Sequence, residues 1–444
     1  MQEEFKTFTN MNYTENNSIS RNYYITISRH TIVAGLFALC PFLMNYKIPF
    51  TEINITVVLF LGVFAFELPR ALMNPERLAM KGFYGKGLFH ITSAFIILNH
   101  FNVLYNSHPY NYSNTALVNM FLLLVEILGV ILFFEDSKSV DLFKKYTGNI
   151  AFVMSIIVIA ECFIWYTFHI YPTGGNHQLI LPFLDVSSYD NMSTIISPTG
   201  LFRPAAFFLE PAHFSRYCAI GLASILFSNP IKVINKKTIT ITIAMLLTLS
   251  GFGMLFVVMI WGLYILVGTE KVSGSKFLRS AAIVIVGAII LSVAYSYSAS
   301  FRSALARFTG SGGDNAVYGR LGNYYVYVNK LQGFSRTWGM GYRNLPMRTG
   351  MNATEYFTGI LELLYCQGIV GTAIFMMLYI GMVIKAFFQK NRLIFTVATI
   401  AFVFLLGSAF FAPLSVLIYI PFLFSNKEGT KRAVTQKECH EKYN

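Results

Sequence analysis

Apolar windows of membrane-crossing length recur along the whole chain, separated by polar breaks. They cover residues 30–46, 53–69, 87–105, 115–134, 148–170, 204–228, 239–250, 252–268, 279–297, 357–387, 393–411 and 413–425. A helix that crosses a bilayer needs ~20 mainly apolar residues, so the windows predict one crossing each. Residues 239–268 form a single apolar run. One straight helix of about 45 Å would overshoot a hydrocarbon core of ~30 Å. The centre of the run reads Ser250-Gly251-Phe252-Gly253, a natural break, so a tight hairpin of two helices is predicted.

The polar intervals carry an alternating charge pattern. Arg70, Arg77, Lys81 and Lys86 follow the second window, and Lys138, Lys144 and Lys145 the fourth. Lys232, Lys236 and Lys237 follow the sixth, Lys271 and Lys276 the eighth, and Lys390 and Arg392 the tenth. Cytoplasmic loops are enriched in Lys and Arg, so these alternate intervals are expected inside, together with both termini. Merging the seventh and eighth windows would put the later basic intervals outside. The expected organisation is a cytoplasmic segment 1–29, one transmembrane domain 30–425 and a cytoplasmic tail 426–444. Two long external loops are expected at about 171–202 and 298–356. The fold class is an all-α polytopic membrane protein of about 12 transmembrane helices. Residues 1–29 lack an apolar core with a cleavage site, so no removable signal peptide is expected. Uneven loop lengths argue against two equivalent halves.

Composition excludes a water-soluble fold. Of 444 residues, 55% are hydrophobic and only 12% charged, against ~25% charged in ordinary globular chains. The net charge of +13 would point to nucleic acid in a soluble protein. Here the cytoplasmic loops account for most of it, and no nucleic-acid partner is expected. The cysteines Cys40, Cys162, Cys218, Cys366 and Cys439 have no CxxC or Cys/His spacing and read as packing residues. The chain has no GxxxxGK[ST], no HExxH, no dinucleotide loop and no external Asp-x-Asp pair. Neither a cofactor nor a metal is expected.

Two places carry charge that topology does not explain. The first is Arg203-Pro204-Ala205-Ala206-Phe207-Phe208-Leu209-Glu210-Pro211-Ala212-His213. Pro204 suits a first helical turn, which would put Arg203 at the external mouth of its helix. Glu210 would follow two turns on, on the same face, with a kink at Pro211 and His213 one turn below. Charges inside a membrane are costly unless they face a polar cavity or one another. The set therefore reads as a polar cavity, the alternative being an Arg203–Glu210 pair that only locks helices together. Arg216 lies deeper and is expected to pair with Glu161 or Glu126.

The second place is the 298–356 loop, with Arg302, Arg307, Arg320, Lys330, Arg336, Arg343 and Arg348 against Asp314 and Glu355. Guanidinium forks bind phosphate oxygens in pairs and never lose their charge. The loop suits a diphosphate, or alternatively anionic lipid headgroups. Its Tyr318, Tyr324, Tyr325, Tyr327, Tyr342 and Trp338 suit sugar rings and the membrane interface equally.

Three landmarks carry a family resemblance: Arg203 with Phe208-Leu209-Glu210-Pro211; Gly319-Arg320 with Gly339-Met340-Gly341; and Asn352 before Glu362, Gly368 and Gly371. In this order they resemble the O-antigen polymerase and ligase superfamily of bacterial envelope proteins, over residues 200–375. The resemblance implies a GT-C-like lipid-linked glycan transferase architecture and a site on the outer face of the bacterial inner membrane, needing no metal. It implies that undecaprenyl-diphosphate-linked oligosaccharides serve as donor and acceptor within the lipid bilayer. A chain-length regulator and a flippase of the same pathway are further candidate partners. Arg203 and Arg320 would hold the diphosphate, and Glu210 or His213 would take the proton of the acceptor hydroxyl. Arg302, Arg307, Arg336, Tyr342, Arg343, Asn352 and Glu355 would line the substrate path. Ligases of the group carry a His before the Asn of the third landmark. This chain has Met351 there, which favours a polymerase and leaves the base open among Glu210, His213 and Glu355. The alternatives are a glycan ligase of the same superfamily and a lipid-linked oligosaccharide flippase.

Overall fold

A computed structural model describes residues 28–43, 46–50, 54–74, 86–106, 114–134, 137–170, 185–186, 196, 202–208, 210–228, 235–267, 296, 328–329, 331–341, 359–389 and 391–407. The helices are α1 (Arg29–Leu43), α2 (Ile55–Met73), α3 (Lys86–Asn106), α4 (Asn114–Phe133), α5 (Ser137–Phe168) and α6 (Pro211–Ser228). They continue with α7 (Lys236–Leu247), α8 (Gly251–Val267), α9 (Gly333–Trp338), α10 (Gly359–Phe388) and α11 (Arg392–Gly407). Two short strands, β1 (Tyr46–Lys47) and β2 (Asp185–Val186), pair antiparallel and tie the chain after α1 to the first long loop. The expected crossing at 413–425 lies outside the described residues, as does that at 279–297 apart from Ser296.

The protein is built of apolar helices suited to a membrane. Ile55–Met73, Lys138–Phe168 and Gly359–Phe388 are long and apolar enough to cross one, and α1, α4, α8 and α11 are shorter apolar helices. Phe66, Leu98, Phe101, Phe163 and Met377 stand exposed on the outside of the bundle, as a lipid-facing surface requires. The fifth window is longer than expected. Its helix begins at Ser137, so the basic interval after α4 is helical and carries a Lys144–Asp141 pair at 3.1 Å.

Neighbouring helices close a circuit. α1 packs on α2, α2 on α4, α4 on α3, α3 on α10, α10 on α11, α11 on α6, α6 on α5, and α5 on α1. α7 and α8 pack on α6 from beside the ring, and α9 packs on α10. The hairpin predicted within 239–268 is present. Asn235 caps α7 by accepting from Thr238 N at 2.9 Å, Leu249 turns with φ 48, and α8 starts at Gly251. Trp261 Nε1 donates to Thr242 Oγ1 at 3.1 Å and clips the two helices together.

These packings give the bundle two distinct ends. Ser215, in the second turn of α6, lies 3.2 Å from Thr248 at the α7–α8 turn. Phe42, late in α1, packs on Phe208 just before α6. At the other end, buried Glu67 of α2 pairs with Arg29 at 3.2 Å and Arg70 at 3.6 Å. His30 Nδ1 lies 2.7 Å from Ser139 Oγ, and Lys237 donates to Asn149 Oδ1 at 2.7 Å. The basic residues that close α2 and open α5 and α7 therefore gather away from the start of α6.

Candidate functional site

The chain enters α6 through an irregular segment rather than through a helix. Phe202 stacks on Trp165 of α5, with ring centroids 4.8 Å apart. Phe208 packs on Phe42 and Tyr217. Between them Ala205 and Ala206 are fully buried, and Ala206 has φ 49. Buried non-helical backbone must find partners inside the protein. Ala206 N finds one in the Glu161 carboxylate at 3.0 Å, and Phe208 N donates to Ala205 O at 3.0 Å.

This corrects the expected helix start. α6 begins at Pro211, not Pro204. Pro211 occupies the first helical position, where a missing N–H costs nothing, and it makes no kink. Glu210 is the residue before it, not two turns inside. Its carbonyl accepts from His213 N at 3.0 Å and Phe214 N at 3.2 Å. A proline also disfavours the helical region for the residue it follows, so a boundary between Glu210 and Pro211 is locally compatible. Arg203 is then not on a helical face with Glu210, but half-buried in the irregular segment.

The charged groups still collect around the start of α6. Glu210 and His213 are half-buried, and His213 lies within electrostatic reach of both Arg216 and Glu210. Arg216, one turn deeper, meets two aromatic rings. Its guanidinium lies 5.1 Å from the Phe252 ring centroid and 4.8 Å from that of Phe404. Glu161, one of its expected partners, holds the Ala206 backbone. The positive end of the α6 dipole adds to the cationic character of this corner. A guanidinium, a carboxylate and an imidazole at one helix start can grip an anion and accept a proton.

The second feature at this end is a break inside α10. Sequence patterning predicts a continuous helix over 357–387. Gly368 instead has φ 64, and the helix is interrupted there. The carbonyls it would otherwise leave free are taken by the Gly339-Met340-Gly341 segment after α9. Met340 N donates to Tyr365 O at 2.8 Å and Gly341 N to Cys366 O at 2.9 Å. A Cβ on Gly339 would collide with the Cys366 and Gly368 backbone, and one on Gly368 with Thr337 O. The Gly-x-Gly of the second landmark and the Gly368 of the third therefore form one structural unit.

Of the other candidate residues, Arg336 is exposed on α9. Arg302, Arg307, Arg320, Tyr342, Arg343, Asn352 and Glu355 lie outside the described residues. The sequence reading missed Asn99 of α3, whose Nδ2 donates to Cys366 O at 3.0 Å at the break. A signal was present: Asn99 and His100 end the apolar run 94–98. Searches of family models, of curated proteins and of solved structures each find no match to this chain.

Proposed function

We propose that the chain polymerises undecaprenyl-diphosphate-linked oligosaccharide repeat units into an O-antigen or capsular polysaccharide. On this reading it has about 12 crossings in a GT-C-like arrangement and resides in the bacterial inner membrane. Both termini are cytoplasmic and the site faces the exterior. The observation that carries the proposal is the convergence of Glu210, His213 and Arg216 at the start of α6, with Arg203 in the segment leading to it. The positive-inside rule assigns the opposite, basic end to the cytoplasm.

In the reaction, an acceptor sugar hydroxyl attacks the anomeric carbon of the growing glycan. The bond to undecaprenyl diphosphate breaks, and its electron pair leaves with the diphosphate. Fixed guanidinium groups stabilise that leaving charge without reorganising. Arg203 is the described candidate, and Arg320 of the long loop is the second. The proton of the attacking hydroxyl passes to Glu210 or His213.

The test is polymerisation in vitro from purified lipid-linked repeat units by the full chain in detergent or nanodiscs. Long-chain product supports the proposal. Transfer only to a different acceptor identifies a ligase. Translocation across a vesicle bilayer without bond formation identifies a flippase.

A further inference from the structure

Helix α3 buries a polar stripe. Thr92, Ser93, Asn99 and His100 are all buried, while Leu98, Phe101 and Tyr105 are exposed on the other side. Thr92 and Asn99, and likewise Ser93 and His100, are seven residues apart, two turns along one face. The stripe belongs to the face that meets α10, because Asn99 bonds across to α10 and Phe95 blocks any side chain at Gly371. Polar groups inside a membrane helix bundle mark partners or polar paths.

The chemistry of the stripe is fixed at its centre. Asn99 Nδ2 donates to Cys366 O at 3.0 Å and to Gln367 Oε1 at 3.1 Å. A backbone carbonyl only accepts, so the Asn99 amide must turn its nitrogen to α10. Gln367 must then turn its oxygen to Asn99. The groups left over are an acceptor, Asn99 Oδ1, and a donor, Gln367 Nε2. Both are without a hydrogen-bond partner among the described residues, on side chains only 2% and 3% exposed.

The hydroxyls of Thr92 and Ser93 also have no partner among the described residues. Ser155, Thr372 and Thr399 satisfy themselves on the carbonyl four residues back, at 2.7, 2.7 and 2.8 Å. Thr92 and Ser93 do not.

We propose that the seam between α3 and α10 is a binding site for uncharged hydroxyl groups. A hydroxyl donates to Asn99 Oδ1 and accepts from Gln367 Nε2, using both leftover groups at once. An anion would be repelled by the acceptor and a cation by the donor. The seam is thus chemically distinct from the arginine-bearing corner at α6. It lies beside the Gly368 break and beside Phe95, whose ring is stacked on Trp338 at 6.4 Å and 17°. The hydroxyl has two sources: a sugar of the lipid-linked glycan, which rests on the polymerase reading, or water, which does not.

The experiment is X-ray radiolytic labelling in H2 18O on the full chain in nanodiscs, which reads side chains next to bound water. The probe is a Ser93→Cys variant, with native Cys218 as an internal reference. Cys218 is fully buried in the α5–α6 core, its sulfur 3.8 Å from Ser155 Oγ. The Cys at 93 is expected to gain 18O several-fold faster than Cys218, and equal rates would overturn the proposal. Adding Gln367→Met, which keeps the side-chain length but removes the donor, should bring the rate down. An unchanged rate would show that the amide pair does not hold the ligand and would also overturn it. Adding a purified undecaprenyl-diphosphate-linked oligosaccharide then separates the sources. Slower labelling identifies sugar hydroxyls, and unchanged labelling identifies water. The 18O result stands whether or not the protein polymerises anything.

Discussion

The Glu161 carboxylate accepts the Ala206 backbone N–H at 3.0 Å and so holds the buried, non-helical approach to α6 in place. Glu161 and Ala206 are both buried and lie 45 positions apart in the chain. The first expected outcome follows from this bond. Glu161→Gln keeps an acceptor oxygen and should retain most stability. Glu161→Leu strands the Ala206 N–H and should cost about 1–3 kcal/mol, read as a lower thermal-shift midpoint of the purified protein. Equal midpoints for the two variants would show that the bond does not hold the segment.

The break in α10 gives a second expectation. Gly368→Ala places a Cβ at φ 64 against Thr337 O. A backbone at φ 64 and ψ -172 is essentially confined to glycine and alone costs about 1–3 kcal/mol for another residue, and the collision adds to it. Gly262→Ala is the control, because a Cβ there meets nothing within 4 Å. It should be neutral or slightly stabilising. The same thermal-shift series, with matched expression levels, separates the two. Comparable midpoints for both variants would rule out the break as a constraint.

A third expectation concerns Arg216, whose guanidinium lies over the rings of both Phe252 and Phe404. Lysine keeps the charge but loses the flat guanidinium that stacks on a ring. A double-mutant cycle of Arg216→Lys with Phe404→Leu should show a coupling of about 0.5–2 kcal/mol. Additive effects would mean that the ring contact contributes nothing.

Much of the helical framework was legible because each crossing is a local apolar run. The turn at Thr248–Ser250 was legible from Ser250-Gly251-Phe252-Gly253, four residues that interrupt such a run. The start of α6 was not. Pro204 and Pro211 both satisfy the rule for a first helical turn, and the choice between them involves Glu161, a partner on another helix. The break at Gly368 escaped for the same reason. Gly368 was visible as a landmark, but its hydrogen-bonding replacement comes from Gly339-Met340-Gly341, which no local pattern connects to it. The polar stripe of α3 was present as a seven-residue spacing of Thr92 with Asn99 and Ser93 with His100. It was hidden because the rest of that window is apolar enough to read as an ordinary crossing. The arginines of the 298–356 loop, apart from Arg336 on α9, lie outside the described residues.

A fourth expectation tests the sidedness proposed from charge. Single cysteines placed at Asp185 of β2 and at Asn235 before α7 should differ in intact cells. A membrane-impermeant thiol reagent should label the first and not the second, since Asn235 caps a helix that opens with Lys236 and Lys237. Labelling at 235 from outside would invert the assignment and move the α6 corner to the cytoplasmic face, where the proposed reaction does not belong.

The last expectation concerns Glu210, which stands immediately before the first residue of α6 rather than two turns within it. That position leaves the side chain half-buried at the mouth of the corner. It also places a carboxylate at the positive end of a helix dipole. If Glu210 takes the proton, Glu210→Gln keeps the shape and loses the basicity. Polymer should fall by about 100-fold or more while binding of the lipid-linked donor persists. If Glu210 serves only to start the helix, Gln should still work, because His213 N and Phe214 N donate to its backbone carbonyl and not to its side chain. His213 offers the competing assignment, lying one turn on and within reach of both Glu210 and Arg216. An active Glu210→Gln beside an inactive but well-folded His213→Ala would move the base to the imidazole. Arg203→Ala, measured alongside, should lose about 100-fold if its guanidinium meets the leaving diphosphate. Arg203→Lys should recover part of that, since lysine restores charge but not the paired fork. Wild-type rates in all three alanine or glutamine variants would place the chemistry elsewhere in the chain.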